Sequence, residues 1–344
     1  MEKFNIVALG GGSGLSTLLR GLKKYFKNIT AIVNVADDGG SSGILRSELG
    51  VLPPGDIRNC LVALSEEESL MSRLFQYRFP SKGTLSGHSF GNLFLTAMSA
   101  ISGGFDNAIA KSGEVLAIRG RVLPVTLSSI TLEAELENGK MVRGESAVSK
   151  TRRRIKKISL APLFPPAAPE VLEALRNADI MIFGPGSLYT SVIVNLLVDG
   201  VVEAVKSSGA YKIYVCNIMT QPGETGGYKL SDHIEAIERH SYKGIIDCVL
   251  MNKGKIPEEI SKRYGRCGSF QVEADKINTK TVKNSLFSDE IYARHDSAKL
   301  AGALMEIIKE KNDSNYYCRA RRTRLAAAKV GGDDSRKAAR FARS

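Results

Sequence analysis

The sequence predicts a three-layer, Rossmann-like α/β fold built on a mostly parallel sheet, with a small β-hairpin excursion. Three observations predict it: short apolar runs without alternation (FNIVAL, DIMIFG, IDCVLMN), glycine-rich corners that follow strand-like runs, and apolar residues at helical spacing beyond them. A strand that stays apolar on both faces belongs in a sheet covered on both sides, which is the habit of parallel sheets with right-handed crossovers.

Residues 4–9 form the first expected strand, and Leu15, Leu18, Leu19 and Leu22, at i, i+3, i+4 and i+7, predict the helix after the GGGSG corner. A second strand, rich in β-branched residues, is expected over 29–35 and runs into a second corner, ADDGGSSG, at 36–43. Helices follow PPGDIRN (53–59) through Leu64, lie around 70–77, and begin at Ser89 with Phe90, Leu93, Phe94, Ala97 and Ile101 on one side. From Arg119 the pattern changes to alternating runs separated by Asn138-Gly139, the signature of a two-residue hairpin turn, so a β excursion is expected over about 119–160. Five basic side chains in residues 151–157 read as a solvated surface. The α/β rhythm resumes with strands at 179–184, 212–218 and 246–252, helices at 192–197 and 232–240, and a last helix over about 297–309. One α/β domain over 1–312 is therefore expected, followed by a basic tail, 313–344, whose lack of large apolar residues predicts disorder.

A net charge of +12 points to polyanions, but from Asp313 onward nine Lys and Arg face three Asp, so the tail holds half the excess. No aromatic periodicity accompanies that tail, and no specific nucleic-acid partner is expected. No apolar run approaches membrane length, and the first residues lack a basic, cleavable leader, so a cytoplasmic protein without a membrane partner is expected. Cys60, Cys216, Cys248, Cys267 and Cys318 are odd in number and never in CxxC spacing, which suggests buried thiols and neither disulfides nor zinc.

Ligands of open parallel sheets sit beyond the carboxyl ends of the strands. GGGSGLS (10–16), ADDGGSSG (36–43), GPGSLYTS (184–191) and NIMTQPGET (217–225) all lie at such ends. Glycine lets successive amides converge on an anion, and Ser and Thr add donors. One such corner could equally be a tight turn and nothing more; four around one crevice predict a phosphate-bearing ligand. Residues 10–16 lack the lysine of a Walker loop. The dinucleotide fingerprint is met only at Gly12 and Gly14, with Thr17 in the third place, which disfavours a nicotinamide dehydrogenase despite Asp37 at the end of the second strand. GHSFG (87–91) matches the hydrolase nucleophile elbow but follows a loop where that elbow needs a strand. Ser89 reads instead as a helix N-cap, leaving His88 and Asn92 to face a ligand. Asp37, Asp38 and Asp56 are the carboxylates nearest the crevice, either closing turns and capping helices or holding Mg²⁺ against a diphosphate. Asp37 and Asp38 are the metal candidates. Asp38, Asp56 and His88 are the catalytic candidates, with no role assigned among them.

Six blocks, GGGSGLS, VADDGGSSG, LPPGDIRN, SGHSFGNL, GPGSLYTS and NIMTQPGET, resemble in order and spacing the 2-phospho-L-lactate transferase-like (CofD-like) family over about residues 4–310. The likeness is greatest to its bacterial branch, the gluconeogenesis factors. The resemblance implies two roles. Transferase members move phospholactate from a guanylyl-diphospho-lactate donor to a deazaflavin with Mg²⁺. The bacterial branch binds UDP-sugars such as UDP-N-acetylglucosamine and is associated with cell shape and wall synthesis on gluconeogenic carbon sources. Carried over residue by residue, Gly11, Gly12, Ser13, Gly14 and Leu15 match the first phosphate loop, with Ser13 where Thr is frequent. Asp38, Gly39, Gly40 and Ser41 match the second, and Gly184, Gly186 and Ser187 the third. His88 and Asn92 match the GHSFGN block, Asn217 the strand end beside it, Arg294 an arginine used on the nucleotide-sugar, and Tyr264 a base-stacking counterpart. A UDP-sugar-binding regulator is the first expectation and Mg²⁺-dependent phospholactyl transfer the alternative. Whether the chain catalyses a reaction, and whether it forms a homo-oligomer, the sequence leaves open.

Overall fold

The computed structural model describes residues 4–66, 70–80, 82–288 and 292–313. Its strands are β1 (Ile6–Gly10), β2 (Ile29–Val33), β3 (Arg121–Pro124), β4 (Thr131–Leu136), β5 (Met141–Arg143), β6 (Ile155–Ala161), β7 (Ile180–Phe183), β8 (Tyr211–Val215), β9 (Cys248–Asn252) and β10 (Lys280–Asn284). Seven of them form one sheet in the order β10-β9-β8-β7-β1-β2-β3, every pairing parallel, as the apolar runs predict. Every residue of β1, β2, β7 and β9 is buried, so both faces are covered and the fold is the expected three-layer α/β arrangement.

Six helices precede β3: α1 (Gly12–Leu22), α2 (Gly40–Leu49), α3 (Gly55–Leu64), α4 (Leu70–Gln76), α5 (Phe90–Ser102) and α6 (Phe105–Val115). Leu15, Leu18, Leu19 and Leu22 are the buried stripe of α1. In α5 the structure differs from the periodicity: the buried residues are Gly91, Asn92 and Leu95, while Ile101 is 78% exposed. Apolar residues surround this helix, so spacing alone could not choose its inner face.

The excursion is a three-stranded antiparallel sheet, β5-β4-β6. It begins at Thr131, because Arg121–Pro124 pairs in parallel with β2 and closes the edge of the main sheet. Glu135 pairs with Met141, and the Leu136 amide bonds the Lys140 carbonyl, so the hairpin loop has one residue more than the Asn-Gly signature suggests, with Gly139 left-handed at φ 77°. The chain divides into two units, Met1–Ala301 and Gly302–Ser344, where the sequence placed the boundary near 312. A helix runs over 297–313, and the expected disorder from there on falls outside the described residues, Asp313 excepted. Among the described residues no helix is long and apolar enough to cross a membrane.

Candidate functional site

From β1 the chain adds β2 and β3 on one side of the sheet, then crosses back to place β7, β8, β9 and β10 on the other. The strand order therefore reverses between β1 and β7, and their carboxyl ends flank a crevice. A cavity of about 780 Å³ opens there, and GGGSG, Asp37, Asp56, the β7 corner, the segment after β8 and residues 292–295 all contribute to its wall.

The corner after β1 is tight for a physical reason. Gly12 has φ +63°, in the region that favours glycine, and a Cβ on Gly14 would run into the Pro185 carbonyl of the β7 corner. A Cβ on Gly11 would sit 2.8 Å from Asp56 Oδ2. The N-cap residue, Gly11, has no side chain with which to cap α1, and Gly11, Gly12, Ser13 and Gly14 all line the crevice. The Gly12 amide lies close enough to the Asp56 carboxylate to favour its ionised form.

That carboxylate belongs to an acidic wall. Burial, then the charge of Asp37, push the Asp56 carboxyl up to about 6 against the opposing pull of the Gly12 amide and Arg58. Glu145, from the short helix Glu145–Val148, lines the same cavity; burial, Asp37 and Glu224 push it up to about 7. Arg58 is itself pushed down to about 10 by burial and by Arg78.

The β7 corner is spliced to the strand beside it. Asn217 accepts from the Gly186 amide at 3.3 Å and donates to the Gly186 carbonyl at 2.8 Å, and Gln221 donates to Ser187 Oγ at 2.7 Å. Beyond the corner, the π-helical turn Leu188–Ile193 begins on a buried carboxylate: Glu224 accepts from the Tyr189 and Thr190 amides at 3.0 and 3.3 Å and from Thr190 Oγ1 at 2.8 Å. The amides of this corner are thus largely used within the protein, and the helix N-terminus left open to the cavity is that of α1.

At the opposite side, Tyr264 packs on Ile218, Met219 and Ile256, and its hydroxyl accepts from the Ala293 amide at 3.2 Å. The guanidinium groups of Arg263 and Arg294 both lie over the Tyr292 ring, 5.3 and 5.2 Å from its centre.

Of the residues singled out from sequence, Gly11, Gly12, Ser13, Gly14, Asp37, Asp56, Gly186, Ser187, Asn217, Tyr264 and Arg294 line this one cavity. Leu15, Asp38, Gly39, Gly40, Ser41, His88, Asn92 and Gly184 do not. Leu15 is core, and Gly184 is the left-handed exit of β7 at φ 78°. Asp38 holds the Ser146 amide at 2.8 Å, tying the second corner to the excursion, and the Gly39 amide bonds Asp37 at 2.9 Å, with Gly40 opening α2. Ser41 Oγ meets His88 Nδ1 at 3.0 Å and accepts from Asn92 Nδ2 at 3.1 Å. Ser89 caps α5 through the Asn92 amide at 3.3 Å and accepts from Arg58, so its hydroxyl is a cap, as its loop context suggests. Cys60, Cys216 and Cys248 are buried, but Cys267 is exposed on the cavity, in the turn after the helix Glu258–Gly265, and Cys318 lies outside the described residues.

Sequence reasoning missed Glu145, Gln221 and His295 on the wall. Gln221 lies within NIMTQPGET and His295 beside Arg294, so proximity to a motif was their only signal. Glu145 had none.

Residues 6–291 match the family described as 2-phospho-L-lactate transferase CofD. The chain is 48% identical over 312 residues to the gluconeogenesis factor of Halalkalibacterium halodurans, covering 89% of this chain and 97% of that protein. It is 46% identical over 315 residues to the gluconeogenesis factor of Bacillus subtilis, covering 90% and 99%. A crystal structure of a UPF0052 family member from Bacillus halodurans superposes with a TM-score of 0.85 at 47% identity, covering 89% of this chain and 99% of that one. With that match running from β1 to the rim of the cavity, the chain belongs to the CofD family, among relatives that bear the name gluconeogenesis factor.

Proposed function

We propose that this cavity binds a nucleoside diphosphate-sugar, of which UDP-N-acetylglucosamine is the type, and that the protein acts in the cytoplasm as a regulator of cell shape and wall synthesis on gluconeogenic carbon sources. The observation that carries the binding reading is the meeting, in one cavity of about 780 Å³, of the uncapped α1 N-terminus with Tyr264, Tyr292 and Arg294. The volume suits a nucleotide-sugar. The first-turn amides of α1 suit a diphosphate, and the rings and guanidinium groups suit the nucleoside end.

The acidic wall favours a second reading, phospholactyl transfer to a deazaflavin, in which Mg²⁺ would offset carboxylates facing phosphates. For a protein-held ion the fit is poor: Asp38 is bonded to Ser146, and among the described residues no group of three or more His, Cys, Asp or Glu forms a metal site.

Calorimetric titration with UDP-N-acetylglucosamine, UDP-glucose, GDP and NAD⁺ tests the reading. Uridine ligands are expected to bind, and binding of NAD⁺ with none of them overturns it. Arg294→Ala is expected to weaken the uridine ligands about tenfold or more, the scale of one charged hydrogen bond. Formation of phospholactyl-deazaflavin in the presence of Mg²⁺ would favour the transferase reading instead.

A further inference from the structure

Two polar atoms in the cavity wall are left without partners. His295 Nε2 and Gln221 Oε1 are shut off from water and make no hydrogen bond, although both residues line the cavity. Buried polar groups in folded proteins are nearly always paired, so an orphan in a ligand cavity marks a bond that the protein alone leaves unmade.

The character of the imidazole orphan follows from its surroundings. The Cys216 backbone lies close enough to the ring to favour its protonated form, as a carbonyl facing a ring N–H does. Nε2 has no partner, so the N–H that faces this carbonyl is assigned to Nδ1. Burial nevertheless pulls the ring down to about 4, so at neutral pH it is uncharged and Nε2 carries a bare lone pair. Arg263, Tyr264, Tyr292 and Arg294 line the cavity beside it, and none of them is bonded to that lone pair. Gln221 reaches the same state differently: its amide nitrogen is spent on Ser187 Oγ, which leaves Oε1 as an acceptor.

The wall is therefore polarised. The α1 corner offers amide donors, whereas His295 and Gln221 offer acceptors. Cys216 directly follows β8, so His295 stands at the strand end from which Asn217 reaches the β7 corner. An ionised phosphate has no hydrogen to give an acceptor and would be repelled there. A ligand donor reaching either atom displaces no existing bond.

Resting on the nucleotide reading above, we propose that His295 Nε2, assisted by Gln221 Oε1, selects for a neutral hydrogen-bond donor on the nucleoside half of the ligand, a ribose hydroxyl or a base N–H. The experiment is calorimetry on the full chain at pH 7.5 with UDP, 2′-deoxy-UDP, 3′-deoxy-UDP and N3-methyl-UDP. The wild type is expected to bind UDP about tenfold more tightly than at least one analogue. A deoxy penalty assigns the donor to the ribose and an N-methyl penalty assigns it to the base. His295→Phe is expected to weaken UDP to the level of the penalised analogue and to erase the preference. Gln221→Leu, which leaves His295 and the Cys216 backbone beside it in place, is measured with it and is expected to shrink the same preference. Equal affinities in the wild type, or a preference unchanged in both variants, overturns the proposal while leaving nucleotide binding intact. Failure of UDP itself to bind the wild type removes the nucleotide reading and this inference together.

Discussion

Glu145 is a carboxyl that folding carries out of water beside other carboxylates, and its ordinary value of 4.5 rises to about 7. A carboxyl whose folded value lies above its unfolded one contributes stability below the unfolded value, and that contribution is lost as pH climbs through the folded one. Glu145→Gln keeps the Ser149 bond and removes the charge, so the variant is expected to equal wild type in urea near pH 4.5 and to exceed it by about 1–2 kcal/mol at pH 8. Parallel pH profiles would show that the carboxyl is solvated after all. Glu224 is 3% exposed and answers four donors, from Tyr189, Thr190 twice and Ser149. Glu224→Ala strands them and is expected to cost about 3 kcal/mol in the same assay. A loss under about 1 kcal/mol would mean that those donors find other partners. At this scale the glycines, Asp37, Asp56 and Arg294 of the cavity were legible, because residue type and position beside a strand end already mark them. Glu145 was not: what perturbs it is burial, Asp37 and Glu224, none of which is visible from GES around it.

The corners after β1 and β7 work as a pair, since the glycine of one lets the carbonyl of the other approach. Gly14→Ala is expected to push them apart, costing about 2 kcal/mol of stability and more than tenfold in nucleotide affinity. Gly139→Ala is the control: it meets nothing within 4 Å, but φ is 77°, so about 1 kcal/mol should go from stability with affinity unchanged. Equal losses of affinity in the two would show a general weakening of the fold. Elements buried on both faces were the legible ones, because an unbroken apolar run bounded by turn residues seldom forms anything but a covered strand. β10, KTVKN, passed unread, since an edge strand with exposed lysines looks like a loop. Arg121–Pro124 was read as part of the excursion because a strand's sequence does not say which sheet it joins; its pairing with β2 decides that.

The whole cavity wall lies between Gly11 and His295, inside the first unit of the chain. A protein ending at residue 313 is therefore expected to bind UDP-N-acetylglucosamine with the affinity of the full chain, and a severalfold loss would bring the basic tail into the site. By itself the sequence determined the alternation of apolar strands with glycine-rich corners, the parallel three-layer class and the family, because hydrophobicity and the absence of a Cβ act where the residue stands. It also marked where strand ends would gather. Only the tertiary structure decided which corner keeps its amides open. That outcome is a competition: Glu224 and Asn217 take the amides after β7, Asp56 stands beside the Gly12 amide after β1, and the Gly11 N-cap offers α1 no side chain. The competitors come from distant parts of the chain, and a hydrogen bond or a lost hydration shell depends on distance in space, which no local pattern of residues records.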